Sequence, residues 1–181
     1  MRSARGALGF SVIELMTTIT IFALLLLFGL PQYSTYMQNQ QIRSAADGVL
    51  AGLQFARAEA VSRNVLGGVQ FRLSGNDWSV VLPVTAERTV AETLRTQPGK
   101  ERTGAVAFAI TPSGTTTIAF NGLGRVTAPA ADVAIDLKTG SGSCMHEDSA
   151  ASNRCLRVTV SQSGQVRMCD PAKSSGDPQA C

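Results

Sequence analysis

The feature that most constrains this chain is a long apolar run near the N-terminus that contains a single carboxylate. From Phe10 to Leu30, Glu14 is the only charged residue. At about 1.5 Å per residue, a helix of this length reaches about 31 Å, which is close to the thickness of the hydrocarbon core of a bilayer. A carboxylate within such a segment costs about 2.5–3.5 kcal/mol in lipid. We therefore expect Glu14 to have a partner.

A short basic leader, residues 1–9, precedes this run and ends at the junction between Gly9 and Phe10. A secretory signal peptide would need a small-residue cleavage site after the run, and residues 24–31 contain no clear one. A plain signal anchor is one alternative. Cleavage at Gly9-Phe10 is the other, and it would place a new amine on Phe10. On a neighbouring copy of the chain, that amine is a suitable partner for the carboxylate of Glu14.

The charges at the N-terminus predict how the chain is oriented in a membrane. Arg2 and Arg5 precede the apolar run without any acidic residue, which places the leader in the cytoplasm and everything after Pro31 outside it. The net charge of the whole chain is +3, and loss of the leader removes two of these positive charges. A mature chain so close to neutral does not indicate bulk binding of nucleic acid.

The cysteines agree with an exported domain, because all four lie in the last quarter of the chain: Cys144, Cys155, Cys169 and Cys181. An even number of cysteines in an exported domain predicts disulfides, and three connectivities are open. Sequential pairing would close two short loops and brace the tail. A hairpin of residues 156–160 with 165–168 would instead bring Cys155 near Cys169. No metal site is predicted, since the sequence has no C-x-x-C spacing and one histidine.

Helical periodicity continues beyond the apolar run. Pro31 predicts a kink, and an apolar stripe follows at steps of three and four residues: Ile42, Ala46, Val49, Leu53, Ala56 and Ala60. Glu59 and Arg63 are spaced for an i,i+4 ion pair. We predict a kinked helix from about Phe10 to Arg63 that stops at Asn64. Residues 10–31 would form a transmembrane or filament-core helix, and residues 32–64 an amphipathic helix packed on a globular domain.

After Asn64 the apolar period changes from 3.6 to 2, which predicts a β-rich globular domain over residues 65–181. Residues 69–73 and 78–82 flank a turn and predict a hairpin. A second hairpin is predicted from residues 106–110 and 115–120. Further strands are expected at 133–137, 156–160 and 165–168, and no structure is predicted for residues 85–103.

The N-terminal segment Gly9-Phe10-Ser11-Val12-Ile13-Glu14-Leu15-Met16 resembles the leader junction of type IV pilins and type II secretion pseudopilins. In these proteins a membrane peptidase cuts after the glycine and methylates the new N-terminal residue. The resemblance therefore implies that Gly9 and Phe10 form the processing site, that Glu14 acts in assembly, and that Pro31 kinks the helix. It implies an α+β, type IV pilin-like fold, in which a long kinked N-terminal helix packs against an antiparallel β-rich C-terminal domain.

Residues 50–64, which include Ala56-Arg57-Ala58-Glu59-Ala60-Val61, resemble the FimT/FimU minor pilins and the related H-type pseudopilins of type II secretion. Residues 120–126 and 163–167 also resemble strand-turn elements of that family. The resemblance implies a single-pass protein of the bacterial inner membrane whose C-terminal domain is periplasmic and which later reaches the pilus tip. Its implied partners are other minor pilins, the major pilin and the prepilin peptidase.

The chain lacks the G-x-S-x-G, H-E-x-x-H and P-loop motifs, so we predict neither an enzyme nor a cofactor. The predicted function is that of a minor pilin that takes part in priming type IV pilus assembly as part of a tip complex. The first alternative is a minor pseudopilin of a type II secretion system, which would share nearly all of these features.

The second alternative is a DNA-binding minor pilin for DNA uptake in natural transformation. Some FimT-like proteins bind DNA through a C-terminal G-R-x-R-like segment. In residues 164–167 of this chain, Gln165 stands where one arginine would lie, which removes a phosphate contact. The candidate DNA-contact residues are then Arg154, Arg157 and Arg167.

Overall fold

The computed structural model of the chain describes residues 10–64, 67–98, 106–139, 144 and 154–181, and for residues 28–32 it describes only the backbone. Within these ranges one helix, α1 (Val12–Arg63), precedes nine strands. The strands are β1 (Val69–Ser74), β2 (Asp77–Leu82), β3 (Glu92–Gln97), β4 (Val106–Thr111), β5 (Thr117–Phe120), β6 (Val126–Ala128), β7 (Val133–Thr139), β8 (Leu156–Val160) and β9 (Val166–Cys169).

The chain divides into two compact units between Met37 and Gln38. In the first unit the described apolar side chains of α1 are exposed, and Ile13 and Leu27 are each 68% exposed. The helix includes position 31, and the kink expected at Pro31 stays a prediction. Among the residues that the structure describes, no helix combines the length and the apolar character that crossing a membrane requires.

The second unit contains the rest of α1 and the nine strands. All six residues of the predicted apolar stripe are fully buried, and Glu59 pairs with Arg63 at 2.6 Å as their spacing predicts. The helix ends at Arg63 because Asn64 adopts a left-handed conformation with a φ of 44°. Asparagine tolerates this conformation better than most residues, and it commonly ends helices.

The strands form two antiparallel sheets, a five-stranded one in the order β3-β2-β1-β5-β6 and a four-stranded one in the order β4-β7-β8-β9. The predicted hairpin of β1 with β2 is confirmed, with Phe71 opposite Val80. The hairpin of β8 with β9 also forms, with Thr159 opposite Arg167.

The predicted hairpin of residues 106–110 with 115–120 is wrong. β4 pairs with β7 in one sheet, whereas β5 pairs with β1 in the other. The turn between them exists, since the backbone nitrogen of Thr115 donates to the carbonyl of Pro112 at 3.3 Å. The chain crosses between sheets at this turn because the apolar residues of β4 match those of the distant β7, as Ile110 lies opposite Ile135.

The structure also contains a strand that the sequence pattern did not reveal. β3 lies within the unassigned residues 85–103 and forms the edge of the five-stranded sheet. Its sequence, Glu-Thr-Leu-Arg-Thr-Gln, is polar, and most of its residues are exposed. An edge strand that buries so little apolar surface carries no alternation from which it could be predicted.

The core is one cluster that combines the buried stripe of α1 with side chains from both sheets. Within this cluster the rings of Phe71 and Trp78 stack with their centroids 5.3 Å apart. Gly52 of α1 lies directly against these rings, and a Cβ atom there would lie 2.8 Å from Trp78 and 2.9 Å from Phe71. The helix therefore approaches the sheet this closely because position 52 has no side chain.

We expect Gly52→Ala to lower the free energy of unfolding by about 1–3 kcal/mol, because the new methyl group overpacks the core. This loss should occur although alanine favours a helix over glycine by about 1 kcal/mol. Gly48→Ala is the matched control, since its Cβ would meet only the end of the Gln97 side chain, at 3.2 Å. Urea unfolding of the full chain in detergent measures both, and equal midpoints would contradict the prediction.

Candidate functional site

The residues predicted to act in processing and assembly lie at the start of the chain. Gly9 lies outside the described residues, so its processing stays a prediction. Phe10 is 83% exposed, and Glu14 lies in the first turn of α1, also exposed. Within the described chain, no side chain forms an ion pair with the Glu14 carboxylate. Among the described residues this carboxylate therefore has no counter-charge.

The threonine hydroxyls of the same segment are satisfied by the helix itself. The hydroxyls of Thr17 and Thr18 donate to the backbone carbonyls three residues earlier, at 3.0 and 2.8 Å. The hydroxyl of Thr20 donates to the carbonyl of Met16 at 3.0 Å. Such bonds let a hydroxyl enter an apolar environment at little cost. Glu14 is then the side chain of this segment that most needs a partner from outside.

The four cysteines form two disulfides, which resolves the connectivity left open by the sequence. Cys144 bonds to Cys155 and Cys169 to Cys181, with Cα–Cα distances of 5.4 and 5.1 Å. The hairpin of β8 with β9 does form, but its register places Arg157 opposite Cys169. Cys155 lies before the start of β8 and bonds to Cys144 instead.

The second disulfide holds the C-terminal tail, residues 170–181, beside β9. Asp170 and Ala180 form an isolated parallel bridge, and the backbone nitrogen of Asp170 donates to the carbonyl of Gln179 at 2.7 Å. The guanidinium of Arg167 donates to the carbonyl of Ala180. The tail is therefore a fixed part of the domain surface.

Each of the three arginines considered for DNA contact has a partner within the chain. Arg157 binds both carboxylate oxygens of Asp136, at 2.6 and 2.9 Å, and these hydrogen bonds raise the pKa of Arg157 above its ordinary value. Arg154 pairs at 2.7 Å with Asp170, whose side chain is 5% exposed. The charges of Arg157 and Arg154 are thus balanced by acidic residues, and Arg167 is engaged by the tail.

Two residues that organise this region were not singled out from the sequence. The side-chain oxygen of Asn39, on α1, accepts a hydrogen bond from the backbone nitrogen of Arg154 at 3.0 Å. Asp170 is buried, where an unpaired carboxylate would be costly, and Arg154 supplies its counter-charge. No local pattern could reveal either contact, because the partners are far apart in the sequence.

A cavity of about 370 Å³ lies where α1 meets β8, β9 and the tail. Amide side chains, two arginines, one aspartate and three apolar residues line it: Asn39, Gln40, Gln179, Arg43, Arg154, Asp170, Leu156, Met168 and Cys169. In the described part of the chain, no group of three histidine, cysteine, aspartate or glutamate side chains could hold a metal ion.

The chain is similar to known proteins over most of its length. The family model described as type II transport protein GspH matches residues 45–164. The type IV minor pilin FimU of Pseudomonas aeruginosa is 20% identical, with a TM-score of 0.52 over 77% of this chain and 98% of that one. The minor pseudopilin EpsH from the type 2 secretion system of Vibrio cholerae is 14% identical, with a TM-score of 0.51 over 74% and 99% of the two chains.

Proposed function

The chain belongs to the GspH family, and from this premise we propose that it is a minor pilin of the FimT/FimU type that helps to prime type IV pilus assembly within a tip complex. The pilin-like α+β fold predicted from the sequence is confirmed. Minor pilins and H-type pseudopilins share this architecture.

The observation that carries the proposal is the unequal burial of a single helix. Ile13 and Leu27 are mostly exposed, whereas Ile42, Val49 and Leu53 of the same helix are fully buried in the domain. An extended set of exposed apolar side chains marks a surface that contacts other proteins or lipid. The second part of α1 thus carries the domain, and the first part is available for assembly.

Processing and location follow from this division of the helix. In the proposal, the leader of residues 1–9 is cytoplasmic, a prepilin peptidase cleaves after Gly9, and the new amine of Phe10 is methylated. Residues 10–31 span the inner membrane until the subunit joins the pilus. Two disulfides support a periplasmic domain, since disulfides persist in oxidising compartments.

A minor pseudopilin of type II secretion is the alternative, and the description of the matching family favours it. The similarity to EpsH is close to that with FimU, so the fold does not separate the two systems. We base the choice of the pilus on residues 164–171, Gly-Gln-Val-Arg-Met-Cys-Asp-Pro, which resemble the tails of pilus members. DNA uptake has less support, because Arg154, Arg157 and Arg167 already have partners within the chain.

We expect deletion of the gene to remove surface pili and twitching while protein secretion continues. The reason is that a subunit which primes assembly is needed before the filament can grow. Electron microscopy, twitching plates and immunoblots of secreted proteins measure these effects, and complementation with the intact gene is the control. Normal pili with defective secretion would instead assign the chain to the type II secretion system.

A further inference from the structure

We propose that the cavity between α1 and the C-terminal tail is a docking pocket for a neighbouring pilin, and that it takes a segment in which an apolar side chain lies next to a carboxylate. The proposal rests on the proposed function, because it names a contact that this subunit makes within the assembly. It concerns a surface of the globular domain that is separate from Phe10 and Glu14.

The size and the lining of the pocket suit an apolar side chain from a bound peptide segment. Its volume of about 370 Å³ falls within the range of ligand-binding pockets, which combine apolar walls with a few polar groups that fix orientation. Leu156, Met168 and Cys169 supply apolar surface, and the amides of Asn39 and Gln40 supply hydrogen-bonding groups. An apolar side chain can therefore be buried while the adjoining backbone contacts the amides.

The charges of the pocket indicate that the bound segment carries a carboxylate. Arg154 is balanced by the buried Asp170 at 2.7 Å. Arg43 is exposed and forms neither an ion pair nor a hydrogen bond with any described residue, including Asp47 one helical turn further on. Among the described residues, the guanidinium of Arg43 therefore has no counter-charge, and a carboxylate can bind it in a bidentate, charge-assisted geometry.

The tail forms one wall of the pocket, and contacts within the domain fix its conformation before any partner binds. The backbone nitrogen of Gln179 donates to the Asp177 side chain at 2.8 Å. The carbonyl of Gln179 accepts a hydrogen bond from the backbone nitrogen of Asp170. The disulfide of Cys169 with Cys181 fastens the tail to β9. Because these contacts already hold the wall, a partner does not have to order it, and preorganisation of this kind favours binding.

Site-specific photocrosslinking in piliated cells tests the proposal on the full chain. A photoreactive residue replaces Gln179 in the pocket wall, or Gln54 on the exposed face of α1 as the control position. We expect an adduct with another pilin from position 179 and none from position 54. In the Arg43→Glu background the adduct should fall by about tenfold or more, as expected when one member of a charge pair is reversed.

Two further variants separate the loss of this charge from general damage. Arg43→Lys should keep most of the adduct, and Arg125→Glu should leave it unchanged, because the exposed Arg125 lies outside the pocket.

An adduct that Arg43→Glu does not reduce, equal capture from position 54, or capture of DNA instead of a pilin would overturn the proposal. If deletion of the gene removes pili but Arg43→Glu leaves the adduct intact, the pocket assignment alone is wrong. An Arg43-dependent adduct with a pseudopilin would support the pocket and contradict the pilus.

Discussion

Glu14→Ala should leave cleavage at Gly9-Phe10 intact and lower the amount of this subunit in sheared pili by at least about tenfold. In the assembled filament, the carboxylate is expected to pair with the methylated amine of Phe10 on an adjacent subunit. Loss of one member of a buried charge pair costs about 2–5 kcal/mol, because the remaining charge stays buried without a partner. Mass spectrometry of the membrane form measures cleavage, and immunoblots of sheared pili measure incorporation.

Thr18→Ala is the matched control for this experiment. It lies one turn further along the same exposed part of α1, and its hydroxyl donates to the carbonyl of Leu15. We expect this variant to be cleaved and incorporated normally, since it changes no charge. If Glu14→Ala is incorporated as well as Thr18→Ala, the charge pair is dispensable for assembly.

Replacement of both Cys169 and Cys181 by serine should lower the free energy of unfolding by about 2–4 kcal/mol. In the chain-entropy view, a link over 12 residues restricts the unfolded chain, and its loss restores that freedom. The tail should also detach from β9, because the bridge of Asp170 with Ala180 and the bond from Arg167 are then the main contacts that hold it. Urea unfolding in detergent and limited proteolysis of residues 170–181 measure the two effects.

The double replacement of Cys144 and Cys155 by serine is the control, since this disulfide spans a similar 11 residues. It should lower stability by a comparable amount but leave the tail resistant to protease. The comparison therefore separates a general loss of stability from release of the tail. Equal resistance of the tail in both double variants would show that the Cys169–Cys181 bond does not hold it.

The parts of the fold that were predicted well depend on neighbours in the sequence. The buried face of α1 follows from apolar residues at steps of three and four, and Ile42 and Leu53 are buried as that spacing requires. The hairpin of β1 with β2 follows from two alternating strands around a short turn. The polar edge strand β3 was missed because it buries too little apolar surface to show a period.

The candidate site was predicted less completely, because its geometry depends on contacts between distant residues. The sequence indicated that Arg154 and Arg157 could form a basic group. It could not indicate that Arg154 pairs with Asp170 and Arg157 with Asp136. It could not indicate that Asn39 of α1 would contact the start of β8. A charge is free or balanced only in a particular fold, so a count of arginines does not predict a binding surface.

The sequence by itself determined the class of this protein: a leader junction, an apolar segment with Glu14, a long helix, a β-rich domain and cysteines near the C-terminus. These features are local, because helical and strand periods, turns and processing motifs are complete within a few residues to a few turns. Only the tertiary structure decided that β4 and β5 lie in different sheets, which cysteines bond, and that no described side chain balances the charge of Arg43 beside the pocket. Each of these depends on which distant segments share the core and its surface, and local periodicity carries no information about that choice.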